Sequence, residues 1–586
     1  GSYEQVASLM CYFCAGTNSK SSCFDAGYFL EGFKDTDGKP QMLKNCTAPY
    51  DHSCIIEEYR AGGDITSHLR DCSDGLTFGY PAKEPIYTRL LLEAKTPRNR
   101  TACIFNSIVQ VCLTACNTDF CNGPQYDTAG TYAPHIPSSP TRYDYSKALS
   151  LSILFYDAQR SGKLPAHQPI SWRGDSALHD GDNGHDLSGG WYDAGDHVKF
   201  NLPMAMSTHT LLWGFIKFQD AYTQAGQKNA MCDMIKWPLD YFLKCWIPSQ
   251  QTLYVQVGDG GKDHSYWGRP ENMNMERPAF KVTASNPGSD VAGDTVSAFA
   301  AGSIVFKTLC GNTAYADHLL QAAKSLYEFA KNHQGIYSKS VPQAAGFYNS
   351  QDFKDELAVA AAWMYQATHD NKYLNDAKQF HVPGTPWALS WDEKKITADL
   401  LLYEITKDAS YKSEVINFVN SYKPGGGIQY TPCGLAFRNE WGPNRYAANA
   451  AFIAVMAAAD GIETNAYLTW AMTQINYLLG DNKYGISYEI GFGAKYPQHP
   501  HHRGSSCPTT TTQCNMGDPG PNPNLLKGAL VGGPDNQDNY DDRRSDYVKN
   551  EVACDYNAGF QGALAGLVHF AMHNTLPAAH APKCHH

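Results

Sequence analysis

Two aspartates, Asp193 and Asp196, have a spacing that allows both carboxylates to face one cavity. They lie in the stretch Gly189 to Phe200, which reads Gly-Gly-Trp-Tyr-Asp-Ala-Gly-Asp-His-Val-Lys-Phe. Gly195 gives the backbone freedom to bend between them. Two carboxyl groups that lie this close to each other share a proton or a water molecule. An ionised carboxylate that deprotonates a bound water is a general base for acetal hydrolysis. The alternative is a surface turn, which aspartate and glycine favour.

A glutamate far along the chain, Glu551, is the candidate for the complementary acid. It lies in the segment 540–558, which reads Tyr-Asp-Asp-Arg-Arg-Ser-Asp-Tyr-Val-Lys-Asn-Glu-Val-Ala-Cys-Asp-Tyr-Asn-Ala. A carboxyl group that donates a proton near neutral pH needs a raised pKa, which burial and nearby carboxylates provide. A glutamate on its own is more often a solvated residue at the start of a helix.

Three further segments combine hydrogen-bonding side chains with aromatic rings. Segment 263–271 reads Asp-His-Ser-Tyr-Trp-Gly-Arg-Pro-Glu, segment 441–446 reads Trp-Gly-Pro-Asn-Arg-Tyr, and segment 496–503 reads Tyr-Pro-Gln-His-Pro-His-His-Arg. Aromatic rings serve as stacking platforms for sugars, and the chain is rich in them, with 36 Tyr and 11 Trp. Core packing is the alternative for any single ring. A metal site is the alternative for the histidines of the third segment.

Together these segments resemble the signatures of glycoside hydrolase family 9, the inverting cellulases, over residues 143–575. The resemblance implies that Asp196 is the general base, that Asp193 holds the same water and that Glu551 is the general acid. Inversion requires the acid and the base to lie about 6.5–9.5 Å apart. No cofactor is implied for the chemistry. The resemblance also implies substrate-binding roles for His264, Trp267, Tyr348, Trp387, Trp441, Arg445, Tyr446, His501, Arg503, Asp542 and Tyr556, of which Asp542 has an orienting role as its alternative.

The chain departs from the family pattern just before the histidine segment. Glu489 stands where the pattern has an apolar residue, and Ile490 where it has Ser, Thr or Val. We expect these changes to alter local packing without affecting His501 or Arg503.

Three acidic residues, Asp355, Glu356 and Asp392, match a calcium site that many family members share. Oxygen ligands from two loops suit a hard cation. The resemblance therefore implies a structural Ca²⁺ ion, although the loop before Asp355 is one residue shorter than in the pattern. The alternative is that these acids stabilise helix ends.

The elements that must position these residues are helices. Apolar residues recur at intervals of three and four, and strand-like alternation is scarce. The spacing between helices is irregular, which argues against a solenoid. Twelve helices with long loops fit the mainly α, (α/α)6 barrel that the resemblance implies, and we place its domain at 143–576. The predicted helices are 148–155, 203–219, 227–246, 291–310, 315–333, 353–369, 371–380, 395–407, 410–421, 445–460, 463–479 and 553–573.

The N-terminal segment is cysteine-rich, with ten of the 18 cysteines in the first 121 residues. Such density predicts a disulfide framework formed in an oxidising compartment, with zinc bound through Cys11 and Cys14 as the alternative. The ending Cys-Asn-Thr-Asp-Phe-Cys-Asn at 116–122 resembles three-finger domains of the snake-toxin and urokinase-receptor kind. That resemblance implies a small β-rich domain over 9–123 that binds an unknown protein, with pairs Cys11–Cys54, Cys14–Cys23, Cys46–Cys72, Cys103–Cys112 and Cys116–Cys121.

Other local features complete the organisation. Residues 124–142 form a proline-rich linker. Asn45 and Asn99 are glycosylation acceptors. Cys507 and Cys514 are expected to form a local disulfide. The first two residues, Gly-Ser, are interpreted as a cloning scar or processed end, and the last two histidines as the remnant of a purification tag.

The composition excludes several classes of function. A net charge of −11 argues against nucleic-acid binding, and no apolar run reaches the ~18–20 residues of a membrane span. The resemblance to family 9 implies an endo-β-1,4-glucanase that hydrolyses cellulose or other β-1,4-glucans with inversion, and the cysteine-rich segment predicts that it is secreted and extracellular. The alternatives are a processive or exo-acting enzyme, a hydrolase of mixed-linkage glucan or glucomannan, and an inactive carbohydrate-binding protein.

Overall fold

The computed structural model describes residues 141–166, 168–510 and 514–584, together with seven strands nearer the N-terminus. The chain divides into two compact units, residues 1–134 and 135–586. The predicted linker lies outside the described residues except for its last two positions.

The first unit consists, in its described part, of seven strands. In the larger sheet the strands follow the order β2-β5-β4-β7-β6. Strands β1 and β3 form a separate two-stranded sheet. Ile55, Ile56 and Leu113 are buried within it. The strands are β1 (Met10–Tyr12), β2 (Cys14–Gly16), β3 (Leu43–Asn45), β4 (Ser53–Ala61), β5 (Asp64–Ser73), β6 (Ala102–Phe105) and β7 (Gln110–Cys116).

Most of the predictions for this unit fall on residues that the structure does not describe. Cys54 and Cys72 are each disulfide-bonded. Apart from these two cysteines, the structure does not describe the side chains concerned. They are those of the five predicted pairings, of the zinc alternative and of the glycosylation acceptors Asn45 and Asn99. The three-finger architecture therefore stays a prediction.

The second unit is built from twelve helices of ten residues or more, counted over the described residues, and all twelve predicted helices are confirmed. They are α1 (Tyr145–Ala158), α2 (Asn201–Lys217), α3 (Lys228–Cys245), α4 (Ser289–Thr308), α5 (Thr313–Asn332), α6 (Lys354–Thr368), α7 (Asn371–Phe380), α8 (Lys395–Thr406), α9 (Ala409–Tyr422), α10 (Pro443–Ala459), α11 (Thr464–Leu479) and α12 (Cys554–Met572).

The even-numbered helices form a closed inner ring. Each contacts the next, from α2 through α4, α6, α8 and α10 to α12, and α12 contacts α2 again. The odd-numbered helices pack outside them, as α5 does against α4 and α11 against α10. This mainly helical arrangement is consistent with the predicted (α/α)6 barrel.

Burial patterns explain which helices are inside. The inner helix α4 is buried at every position from Ser289 to Ser303, and a side chain on Gly562 in α12 would meet the Phe452 ring of α10 at 2.5 Å. The outer helix α5 buries one face instead, with Leu319 and Leu326 at helical spacing. Small residues thus let the inner helices approach closely.

Short strands and helices occupy the loops between the long helices. Strand β12 pairs with β10, β11 and β13. The strands are β8 (Gly181–Asp182), β9 (His185–Asp186), β10 (Lys199–Phe200), β11 (Trp246–Ile247), β12 (Thr252–Val257), β13 (Ala279–Thr283), β14 (Gln429–Tyr430) and β15 (Ala436–Phe437). The short helices are Gln219–Gln224, Pro248–Gln250, Gly260–His264, Pro270–Asn272, Tyr337–Ser340, Pro342–Ala345, Arg503–Ser506 and Tyr547–Asn550.

Three disulfides fasten this unit. The predicted pair Cys507–Cys514 is confirmed. Cys232–Cys310 and Cys433–Cys584, which the sequence left unpaired, are also bonded. Among the described residues, no helix is long and apolar enough to cross a membrane.

Candidate active site

The aspartate loop (residues 191–198) is buried along its whole length. The backbone N–H of Cys554, the first residue of α12, donates to the carbonyl oxygen of Asp193 at 2.9 Å. The side-chain amide of Gln159 donates to the carbonyl oxygen of Ala194 at 2.7 Å. The loop is therefore fixed between the end of α1 and the start of the last inner helix.

Gly195 is required by close packing rather than by an unusual backbone angle. Its φ is not in the left-handed region. A Cβ at this position would lie 1.9 Å from the carbonyl oxygen of His501, and the N–H of Arg503 donates to the Gly195 carbonyl at 3.0 Å. The glycine thus lets the histidine segment pack directly on the aspartate loop, which corrects the expectation that it serves to bend the chain.

Replacing Gly195 with alanine should destabilise the fold, because the clash is with backbone and no side chain can move aside. We expect a loss of about 3 kcal/mol in the free energy of unfolding. Urea unfolding checks this, with Gly346→Ala as the control, since Gly346 has open space around it. Equal stability of the two variants would contradict the packing argument.

Asp196 is held in its ionised form. Its Oδ2 lies 3.2 Å from Nε2 of His264, and its Oδ1 accepts from the backbone N–H of Ala194 at 3.1 Å. Burial opposes ionisation, but the hydrogen bond and charge of His264 and the charge of Arg503 hold the pKa of Asp196 below its ordinary value. An ionised carboxylate at this position can accept a proton.

Asp193 is held in the opposite state. Its Oδ2 accepts a hydrogen bond of 2.5 Å from the Tyr348 hydroxyl, and its Oδ1 is buried without a protein partner. Burial and the nearby charge of Asp196 raise the pKa of Asp193 well above its ordinary value. The two aspartates therefore share one proton and one negative charge.

Glu551 lies on the segment just before α12. Trp441 Nε1 donates to its Oε2 at 2.9 Å, and the Tyr556 hydroxyl lies 3.4 Å from the same oxygen. Burial, with the charge of Asp196, raises the pKa of Glu551 to about 7, against the opposing hydrogen bond from Trp441. This carboxyl group can keep its proton in weakly acidic solution.

The same backbone contacts bring the acid and the aspartates to one place. Glu551 pairs with His501 in a parallel bridge, and His501 lies against Gly195 of the aspartate loop. The charge of Glu551 is also one of the causes that raise the pKa of Asp193. Among the described residues no hydrogen bond joins Glu551 to Asp193 or Asp196, yet the two sides lie close enough for the charge of one to shift the pKa of the other.

One wall of the site is formed by the first and third of the three aromatic segments, 263–271 and 496–503. The Trp267 and His501 rings lie 5.0 Å apart, and His501 Nδ1 lies 2.7 Å from the carbonyl oxygen of Arg544. Burial lowers the pKa of His501 to about 4, so the imidazole is neutral. Its other nitrogen is not engaged by the protein and is available to a hydroxyl group.

Arg503 is turned toward the backbone. It donates to the carbonyl oxygens of Tyr266 at 2.8 Å, Gly195 at 3.1 Å and His264 at 3.5 Å. Its predicted substrate-binding role is therefore joined by a structural one, because it links the aspartate loop to the segment that carries His264.

A second wall carries exposed rings and meets the first through Tyr547, whose ring lies 5.9 Å from that of His501. Trp387 is 39% exposed and packs on Tyr446 at 5.2 Å, while Trp441 is 44% exposed and packs on Tyr547 at 5.3 Å. Exposed aromatic rings that lie together, rather than singly, are typical of a ligand-binding surface. They suit a ligand that stacks on them.

Two predicted substrate contacts lie behind this wall. Arg445 is buried in an ion pair with Asp555 at 2.8 Å, and its guanidinium lies over the Tyr556 ring at 4.7 Å. Tyr556 is 2% exposed. These contacts favour a packing role over direct contact with substrate for both residues. The Tyr556 hydroxyl in addition contacts Glu551.

Asp542 has contacts of the orienting kind. Its carboxylate accepts from the backbone N–H groups of Gln498 at 2.6 Å and His499 at 3.0 Å, and from the Asn550 side chain at 3.2 Å. It thereby joins the histidine segment to the residue next to Glu551.

Sequence reasoning missed several residues of the site. Asp263 is buried, accepts from the His197 N–H at 3.1 Å, and has a pKa raised to about 6 by burial and by Asp196. Phe347 is 37% exposed and packs on the His264 ring at 5.1 Å. Their only sequence signal is that each directly precedes a predicted site residue.

The predicted calcium ligands have protein partners. The buried Glu356 carboxylate accepts from the Lys394 ammonium group at 3.0 Å, and that ammonium lies 2.9 Å from Asp294. Asp355 accepts from the Lys394 N–H at 2.6 Å, and Asp392 from the Gln351 N–H at 3.1 Å. A lysine already balances the charge of Glu356, so this residue does not fit a calcium ligand.

The departure at Glu489 is accommodated by burial. Neither carboxylate oxygen has a hydrogen-bond partner, and burial raises the pKa of Glu489 well above its ordinary value. The side chain is therefore protonated and packs as a neutral group, beside a wholly buried Ile490.

Known proteins resemble this chain closely. Endoglucanase A of Bacillus pumilus is 45% identical over 443 residues, which cover 73% of this chain and 66% of that protein. The structure of the endoglucanase from the termite Nasutitermes takasagoensis matches with a TM-score of 0.70 and 49% identity, covering 73% of this chain and all of that one. Cel9M of Clostridium cellulolyticum, solved with cellobiose, matches with a TM-score of 0.68 and 38% identity, covering 73% and 99%.

Three carboxyl groups in one site, beside exposed aromatic rings and within a ring of helices, provide the acid and the base that a glycoside hydrolase requires. The profile of glycosyl hydrolase family 9 matches residues 145–564. The chain belongs to this family, and the match lies within its second unit. The chain spans just under two thirds, 66%, of the length of the Bacillus protein.

Proposed function

We propose that this protein is an endo-β-1,4-glucanase that hydrolyses internal bonds of cellulose or a related β-1,4-glucan with inversion at the anomeric carbon. The observation that carries the proposal is that one site holds both the aspartate loop with Asp196 and the segment with Glu551, which His501 joins by pairing with Glu551 and packing on Gly195. The names of the Bacillus and termite relatives, and the cellobiose bound to Cel9M, support this substrate class.

On the nucleophile side, Asp196 accepts the proton of a water that attacks the anomeric carbon. His264 holds the carboxylate ionised through the contact at 3.2 Å. Asp193 holds the same water through its unpartnered Oδ1, while Tyr348 fixes the other oxygen. Two carboxyl groups on one water orient its lone pair toward the sugar.

On the leaving-group side, Glu551 donates its proton to the glycosidic oxygen. Trp441 and Tyr556 orient the carboxyl group through its Oε2, which leaves Oε1 to carry the proton toward the substrate. As the bond between the anomeric carbon and the glycosidic oxygen breaks, Glu551 becomes a carboxylate, and the water that bonds to the anomeric carbon passes a proton to Asp196. Inversion follows because the two groups act on opposite faces of the sugar.

The rings of the two walls bind the glucan chain. Trp387, Trp441 and Tyr547 expose their rings in one wall, and Trp267 with neutral His501 forms the other, which Tyr547 contacts. Stacking on sugar faces with hydrogen bonds to hydroxyl groups suits a long neutral polysaccharide. A chain that lies across open rings can be cut internally.

A viscosity assay on carboxymethylcellulose tests the proposal. An endo-acting enzyme should lower the viscosity steeply while few reducing ends have formed, because one internal cut halves a long chain. An exo-acting or processive enzyme would release sugar with little loss of viscosity, and a carbohydrate-binding protein would change neither. Either of those results would overturn the endo assignment.

The N-terminal unit and the destination of the protein belong to the same proposal. We infer that residues 9–123 form a three-finger-type disulfide domain that binds a protein partner, joined by the linker 124–142 to the catalytic domain 143–576. The disulfide-bonded Cys54 and Cys72 and the three disulfides of the second unit support an oxidising, extracellular destination. A structural calcium ion, if bound, would have Asp355 and Asp392 as its acidic ligands.

A further inference from the structure

The end of α12 away from Glu551 carries a second group of convergent side chains. His569 lies in the last turn of α12 and His573 directly follows the helix as its C-cap, and both reach Asp220 of the short helix 219–224. His569 Nδ1 lies 2.8 Å from Asp220 Oδ2, and His573 Nε2 lies 2.8 Å from the same oxygen. Fifteen residues of helix separate Cys554 from His569, about 22 Å of rise, so this group is remote from the proposed catalytic carboxylates.

The geometry suits a single small cation. One ligand atom from each of the three side chains lies within 4.8 Å of the other two. The two imidazole rings are 4.7 Å apart between centroids, as expected for histidines four residues apart on one helix face. Bonds of about 2.0–2.1 Å to a central zinc ion require ligand atoms about 3.4 Å apart, which a small opening of the present hydrogen bonds provides.

The surroundings favour positive charge at this point. The site lies at the C-terminal end of α12, where the helix dipole is negative. The Asp220 carboxylate is partly buried and lies within hydrogen-bond distance of both imidazole rings. The carboxylate is further fixed by the Ala221 N–H at 2.9 Å, and the His569 ring packs on Phe218 at 5.4 Å.

We propose that Asp220, His569 and His573 bind a divalent transition-metal ion of the zinc type. Two imidazoles with one carboxylate select such ions over Ca²⁺ and Mg²⁺, which take oxygen ligands. His573 is 52% exposed, so water can fill the remaining coordination positions. The ion would fasten the helix 219–224, which follows α2, to the end of α12 where the inner ring closes.

Equilibrium dialysis of the full chain against Zn²⁺, with bound metal measured by mass spectrometry, tests the site. The double variant His569→Ala/His573→Ala should lose one bound equivalent or weaken its affinity by more than about tenfold, since even indirect partners of a metal contribute that much. His318→Ala is the matched control, because His318 is exposed on the outer helix α5. Asp196, Asp263 and His264 also lie close enough together to bind an ion, and the terminal histidines can bind one as well. All variants keep these residues, so zinc bound there is equal in each and cancels in the comparison.

Thermal unfolding supplies a second readout that is independent of stoichiometry. Zn²⁺ should raise the unfolding midpoint of the wild type and of His318→Ala, because binding to the folded state alone stabilises it, whereas any shift that Ca²⁺ causes should be the same in every variant. The Asp220→Asn and double-histidine variants should lose the zinc effect. If the double variant binds as much zinc as the wild type, or gains the same midpoint shift, then the three residues form only a hydrogen-bonded cluster and the proposal is overturned.

Discussion

Glu551→Gln should reduce kcat on a cellulosic substrate by about 1,000-fold or more, because a positioned general acid contributes roughly 10²–10⁴-fold. Glutamine keeps the shape of the side chain and its contact with Trp441 but has no proton to give to the leaving oxygen. Binding of a cello-oligosaccharide, measured by calorimetry, should be almost unchanged. Substantial residual turnover would remove Glu551 from the role of acid.

Two comparisons make this experiment specific. Glu489→Gln makes the same change at another buried, protonated glutamate, and it should leave kcat unaffected. A cellobioside with a dinitrophenolate leaving group needs no protonation, so Glu551→Gln should cleave it far better than it cleaves a glucan.

The pH profile of the wild type follows from the same group. Glu551 must be protonated to act, so kcat/KM should fall as the pH rises through about 7, the pKa of this carboxyl group. Activity should persist in acid until Asp196, whose pKa is lowered, takes up a proton. In Glu551→Gln the alkaline limb should disappear. An alkaline midpoint near the ordinary glutamate value of about 4.3 would contradict the assignment.

Asp196→Asn should also lose about 1,000-fold in kcat, for the opposite reason. Asparagine cannot accept a proton from water, and it no longer needs the charge of His264 beside it. Because the missing step is water activation, the loss should be equally large on the dinitrophenyl cellobioside, which distinguishes this variant from Glu551→Gln.

Asp193→Asn is the matched comparison for Asp196→Asn. Asp193 already carries the shared proton, so its amide replacement preserves much of its state and its contact with Tyr348. We expect a loss of about tenfold, the worth of one hydrogen bond. If Asp193→Asn lowered kcat more than Asp196→Asn does, Asp193 would be the general base and Asp196 the residue that helps to hold the water.

The helices could be predicted from the sequence because apolar residues recur at helical spacing in both the inner and the outer helices. What periodicity could not tell was which helices lie inside, since the inner helices are buried on all faces and differ mainly in their small residues, such as Gly562 against Phe452. The paired cysteines 232 and 310 likewise became evident only when α3 and the end of α4 were placed side by side.

In the site, motif positions identified the residues but not their partners. Arg503 matched a sugar-binding position, yet its donors go to backbone carbonyls. Glu356 matched a calcium ligand, yet Lys394 from a distant loop meets its carboxylate. Such partners depend on tertiary contacts that no local spacing encodes.

The closed inner ring has a consequence for how the protein is made. Helix α12 is the last helix of the ring in chain order, and it packs against α2, which is made some 350 residues earlier by the numbering of the two helices. Until α12 emerges from the ribosome, the apolar faces of α2 and α10 that it covers stay exposed in the nascent chain. The ring therefore cannot close while its earlier helices are being made, and the unfinished chain exposes apolar surface that chaperones bind.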